Sequence, residues 1–153
     1  MIELRELRAE DVLELPRIYS QDAVGYLDRG PMGEDEATLY VHDAVASARA
    51  RPRARYVFGI ETEDGLVGVI KLNRTHGEAT VSYIVRSDCW GRGHASEAVT
   101  NLLALAFTEL RLPSVHAKHH PDNHASGRVL TKAGFTRAGS TRGFAVYIIR
   151  PSG

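Results

Sequence analysis

Cysteine is almost missing from this sequence. Cys89 is the single one in 153 residues, so no internal disulfide can form and the fold must rest on packing. An excess of charge is missing too. Lysine plus arginine and aspartate plus glutamate number 19 each, which leaves no broad electrostatic footprint for a nucleic-acid backbone. No apolar run approaches the ~20 residues that cross a bilayer, and Met1-Ile2-Glu3-Leu4-Arg5 lacks the basic-then-apolar order of a secretory signal. A cytoplasmic protein without nucleic-acid or membrane partners is the expectation. Lysine is scarce, with only Lys71, Lys118 and Lys132, an arginine bias in keeping with a GC-rich bacterial genome. Repeats, low-complexity tracts and interdomain linkers are absent. What is left, 43% hydrophobic and 25% charged, suits one compact domain over residues 1–153.

The residues that are there alternate between strand and helix patterns. Ile2, Leu4 and Leu7 open a strand, and Ala9-Glu10-Asp11 supplies acidic helix-start chemistry for a short helix carrying Val12, Leu15, Ile18 and Tyr19. After Gly30-Pro31-Met32-Gly33 a second helix runs from Glu34, with Ala37, Tyr40, Val41, Ala44, Val45 and Ala48 on one face. This helical pair reads as a lid or substrate wall. Tyr56–Ile60 and Leu66–Ile70 flank a hairpin at Asp64-Gly65, and Ala79–Val85 continues an antiparallel meander. A long helix spans His94 to Leu110. Val115–Lys118 is a strand, Asn123–Ala133 a helix closed by Gly134, and Phe144–Ile149 a last strand.

The chemistry points to one junction, where a strand, a glycine-rich turn and the long helix follow in immediate succession. Free backbone N–H groups and the positive end of a helix dipole then converge, as phosphate binding requires. Gly91 and Gly93 let a pyrophosphate approach the backbone, while Arg92 adds a cation at the rim. A plain tight turn has the same composition.

Two ordered motifs go further. Trp90-Gly91-Arg92-Gly93-His94-Ala95-Ser96-Glu97-Ala98 resembles the acetyl-CoA signature of the GNAT acetyltransferase superfamily, with Gly93 and Ala95 fitting it and Trp90 departing from its first position. Asn123-His124-Ala125-Ser126, then Val129-Leu130, then Lys132-Ala133-Gly134-Phe135 resembles a second segment of the same superfamily, in the RimJ/RimL-like branch of ribosomal-protein N-terminal acetyltransferases. The resemblance implies an α+β (mixed α/β) fold. Its central sheet would be mostly antiparallel, splayed at a cofactor slot between the strand ending near Val85 and the strand at Val115–Lys118, and flanked by helices. Tyr83 and Val85 would pair with the pantetheine amides, Gly91, Arg92, Gly93, His94, Ala95 and Ser96 would hold the pyrophosphate, and Asn123 would bond the arm. Asn123 and Ser126 also suit simple helix caps.

The activity implied is acetyl transfer from acetyl-CoA to an amine by direct attack in a ternary complex. Val85 is the region of the N–H that polarises the carbonyl, and Ser126 is the expected proton donor to the departing thiolate. The branch often carries a glutamate where this chain has Thr80. Glu78, on the same strand face, is the substitute base, acting through a water, and it reads equally as a solvated residue beside a turn. The alternative is a CoA-binding or sensing module without catalysis. A covalent route through Cys89 lacks a visible base. His116, His119, His120 and His124 are not spaced as a zinc site, so no metal is expected. The acceptor is left open between a protein N-terminus and a small amine, and so is a homodimer.

Overall fold

The computed structural model describes residues 1–152. Strand β1 (Glu3–Glu6) leads through a 3-10 turn (Ala9–Leu13) into helix α1 (Leu15–Ile18), and α2 follows at Glu34–Arg49. A meander of β2 (Arg55–Thr62), β3 (Gly65–Thr75) and β4 (Glu78–Val85) comes next. After α3 (His94–Ala104) the chain runs through β5 (Val115–His119), α4 (His124–Lys132), β6 (Thr136–Thr141) and β7 (Phe144–Ile149). The seven strands form one sheet in the order β1-β2-β3-β4-β5-β7-β6. Every adjacent pair is antiparallel except β4 and β5, which run parallel. This is the mixed, mostly antiparallel α/β architecture expected.

Period-two alternation gives the sheet two apolar faces, each with its own core. Val67, Ile70, Leu72, Val81 and Val85 pack with Val99, Leu102 and Leu130 of α3 and α4. Val57, Val69 and Ile84 on the opposite face pack with Leu15, Ile18 and Tyr19 of α1 and its end, and with Ala37 and Val41 of α2. The close approach of β3 to β4 depends on Gly68, where a Cβ would lie 2.5 Å from the carbonyl oxygen of Ile84.

Two features departed from the sequence reading. Strand β6 was not anticipated, because all six of its residues are exposed and show no apolar alternation; it forms by pairing with β7. The long helix ends α-helically at Ala104 and continues to Glu109 as a wider turn, with Leu110 N donating to Leu105 O.

Asp11 is the one buried charged residue among those described, 3% exposed. Arg5 grips both its carboxylate oxygens at 2.9 Å and Arg8 N donates to it at 2.8 Å, tying β1 to the following turn. Burial by itself would raise the Asp11 pKa, but the Arg5 and Arg8 bonds outweigh it and hold the group below the usual carboxylate range. The folded pKa lies below the unfolded one, so this stabilisation is complete above the unfolded value and is lost as pH falls through the folded value. Asp11→Ala should therefore cost about 3 kcal/mol in urea unfolding at pH 7, because it breaks the buried pair and its bond to Arg8 N and leaves Arg5 with Glu61 alone. The gap to the wild type should narrow in the same measurement below about pH 4.

Candidate active site

Pairing between β4 and β5 is limited to Thr80 and His116, after which the strands diverge. Arg86 N donates to Val67 O at 2.7 Å, so the alternation of antiparallel bonding turns Ile84 and Ser82 toward β3. The N–H and C=O groups of Tyr83 and Val85 consequently face the gap. One of them is occupied: the Trp90 indole Nε1 donates to Val85 O at 2.9 Å.

The gap opens into a cleft of about 470 Å³. Its floor is Tyr83, Ile84 and Val85, one wall is Gly91 and Gly93 to Ser96, and the other is Asn123, Ser126, Arg128, Val129 and Lys132 of α4 and its cap. Asp22, Ala23, Tyr26 and Leu27, between α1 and α2, complete the lining. The Tyr26 ring stands 5.3 Å from that of His120, so this segment reaches across the cleft mouth to the β5–α4 connection.

Helix α3 starts at the cleft without a side-chain cap. Its N-cap, Gly93, holds φ +79°, a conformation glycine adopts without strain, and a Cβ there would meet no atom within 4 Å. First-turn N–H groups and the helix dipole are left facing open space, an arrangement that favours an anion. Arg92 takes no part in the lining. It lies at the rim 3.5 Å from Asp64, both side chains largely exposed. Arg128 and Lys132 supply the cations instead, at the i, i+4 spacing that puts them on one face of α4.

Deeper in, the Tyr83 and Ser126 hydroxyls are 2.8 Å apart. Burial pushes the Tyr83 phenol up to about 12, against the opposing effect of the Ser126 bond, so Tyr83 keeps its proton at neutral pH. Asn123 is the N-cap of α4, its side-chain oxygen accepting from Ser126 N at 3.2 Å, and it also lines the cleft. The cap and the cleft-lining position are one geometry.

The structure brings together Tyr83, Val85, Gly91, Gly93, His94, Ala95, Ser96, Asn123 and Ser126. It does not bring Glu78 to them. That residue is exposed at the far end of β4, five residues from Tyr83, which is roughly 16 Å along a strand. Face alternation says which side a residue points to and nothing about its distance along the strand. Among the described residues Asp22 is the only acidic one lining the cleft; its one sequence signal was its place among acids before the second helix. The histidines scatter: His119 bonds His120 O and the Tyr147 hydroxyl, and His116 lies in the sheet against Thr80. No group of residues able to hold a metal ion occurs among those described.

A family model described as an acetyltransferase (GNAT) domain matches residues 2–136. The chain belongs to the GNAT acetyltransferase family. It is therefore an acyltransferase by family, as its two motifs implied. An uncharacterized N-acetyltransferase of Bacillus licheniformis, p20, is 34% identical over 86 residues, 55% of this chain and about half (48%) of that protein's length. Among solved structures, the ribosomal-protein-S5-alanine acetyltransferase of Vibrio fischeri superposes with TM-score 0.85 at 13% identity, covering 97% and 92% of the two chains. A spermidine N-acetyltransferase of Vibrio cholerae, in complex with CoA and spermine, gives 0.79 at 19%, covering 97% and 95%. At these identities the likeness is one of fold, and it includes the ribosomal-protein branch expected from the motifs.

Cys89 lines the same GNAT cleft but is 3% exposed. Burial pushes its thiol up, and its nearest polar neighbour is Asp88, an acceptor at 3.6 Å. A thiol so placed is a poor nucleophile. A disulfide reagent at pH 7 should label Cys89 at least about tenfold more slowly in the native protein than in urea, a ratio that rapid native labelling would contradict.

Proposed function

We propose that this chain is a single-domain, cytoplasmic acetyl-CoA-dependent N-acetyltransferase acting by direct attack of a neutral amine in a ternary complex. The observation that carries the reading is a gap through the sheet with an anion site at one end and the Tyr83–Ser126 hydroxyl pair within it. The pyrophosphate lies on the turn and first-turn amides from Gly91 to Ser96, with Arg128 and Lys132 neutralising further phosphate charge. Pantetheine amides take the free strand groups of Tyr83 and Val85, and the side-chain nitrogen of Asn123 adds a bond to the arm.

The amine attacks the thioester carbon and a C–N bond forms. The strand N–H of Tyr83, two residues deeper than the Val85 N–H that pairs with the arm, holds the oxyanion. Collapse breaks the C–S bond, and the thiolate takes the proton of Ser126, which Tyr83 replaces along their hydrogen bond as solvent water returns a proton to Tyr83. The amine's proton goes to Asp22 or to water held by it, a role that fits the cleft's one carboxylate better than distant Glu78.

Calorimetric titration with acetyl-CoA, followed by thiol release against a panel of amines and peptide N-termini, tests this directly. Acceptor-dependent release is expected. Ser126→Ala and Tyr83→Phe should each lower kcat by about 100-fold, with acetyl-CoA affinity little changed. Gly93→Val should abolish acetyl-CoA binding while costing about 1–2 kcal/mol of stability through backbone strain at positive φ. Tight binding to a folded Gly93→Val protein would remove the phosphate site.

A further inference from the structure

The cleft enters the sheet from the α3 and α4 side, so the acetyl group must meet its acceptor on the opposite face, beneath α1 and α2. Strand register identifies the side chains there. Val57, Lys71 and Ser82 stand in one cross-strand row, and Val57 packs into the α1–α2 core, which fixes the face. The next row on that face is Arg55, Asn73, Thr80 and His116. It ends at the point where β4 and β5 part.

Three properties of these rows are unusual together. Lys71 is half-buried under Tyr40, its Nζ 5.9 Å from that ring, and no carboxylate among the described residues lies within ion-pair distance of it. Arg55 has no ion pair either, and Arg29 comes close enough to both Lys71 and Tyr40 to act on their charges. Glu36 is committed to Arg29 at 2.7 Å, and Glu78, exposed at the start of β4, pairs with no base. Asn73 Oδ1 and His116 Nδ1 are the two buried side-chain polar atoms without a hydrogen bond among the described residues, and both lie in the second row. Burial and the neighbouring arginines push the Lys71 pKa down, as expected for a cation that lacks its counter-ion.

Buried polar atoms are normally paired, and crowded cations normally have anions beside them. The geometry points to an acceptor that is a small primary amine carrying a carboxylate, the carboxylate held by Lys71 and Arg55 and the amine directed to the gap beside Ser82 and Tyr83. Lys71 is one strand from Ser82, about 4.8 Å, so the two groups of an amino-acid-sized molecule span the distance. This inference rests on the acyl-transfer reading above. It separates the chain from an enzyme for polyamines, which these cations would repel.

The test compares glycine and β-alanine with their amides, and with spermidine and a neutral peptide N-terminus, in acetyl-CoA thiol release corrected for the free-amine fraction. The carboxylates should be preferred in kcat/KM by about tenfold or more. Lys71→Met, with melting temperature recorded, should raise KM for the carboxylate acceptors by about tenfold, leave KM for acetyl-CoA and rates with the amides unchanged, and be largely rescued by Lys71→Arg. Preference for spermidine, the amides or the peptide, or an equal effect of Lys71→Met on amides and carboxylates, would overturn the inference while leaving acetyl transfer intact. If no amine releases thiol, the acetyltransferase reading fails, and calorimetry of N-acetyl-β-alanine with the CoA-saturated protein decides this one. Binding that weakens tenfold in Lys71→Met upholds the carboxylate site, and no binding, or binding indifferent to the substitution, removes it.

Discussion

The separation of β4 from β5 beyond Thr80 and His116 is the constraint on which the rest of the site depends. A sheet that stayed paired there would bury the strand groups of Tyr83 and Val85 in a ladder and leave no passage between its faces. Opening it exposes polar backbone atoms in the interior, a cost that persists only where a partner is supplied. Trp90 supplies one by bonding Val85 O, and that same bond fixes the start of the turn leading to α3. The glycine turn before α3 and the gap between β4 and β5 are thus held by a single side chain.

How far this was readable in advance depended on whether a signal was local. Strands β2 to β4, helix α2 and the α3 and α4 starts carry their own periodicity, hairpin residues or caps, and each was placed within a few residues except the end of β3, which runs five residues beyond Ile70 to Thr75. Strand β6 carries none of these; it exists because β7 offers an edge, which is a tertiary fact. The glycine turn before α3 was legible because paired glycines ahead of a helical pattern mark a positive-φ turn, which Gly91 and Gly93 adopt. Arg128, Lys132 and Asp22 were missed as cleft residues because nothing local says that α4 and the α1–α2 connection converge on that turn.

Glu78 and Asp22 show the same limit from opposite sides. Strand alternation correctly puts Glu78 on the face shared with Thr80 and Ser82, yet the strand's length carries it to the far end. Asp22 has no periodicity to commend it and reaches the cleft through a connecting segment. A base for amine attack needs contact with the reacting nitrogen or with a water beside it, so position outweighs residue class. The histidines follow the same logic, since closeness in sequence from His116 to His124 becomes two sheet faces and a helix start.

Charge distribution ties these observations together. The chain is neutral overall, with 19 residues of each sign, but its ion pairs are not spread evenly. Arg5 with Asp11 and Glu61, and Arg53 with Glu6, neutralise one another around β1 and β2, and Arg86 with Asp88 does so between the cleft residues Val85 and Cys89. Arg128 and Lys132 on one side of the sheet, and Arg55 and Lys71 on the other, have no carboxylate within ion-pair distance among the described residues. Lys71, one strand from β4, and Arg128 and Lys132 of α4 thus stand on opposite sides of the gap. A passage with positive charge at both mouths suits two anionic reactants that enter from opposite faces and meet between β4 and β5.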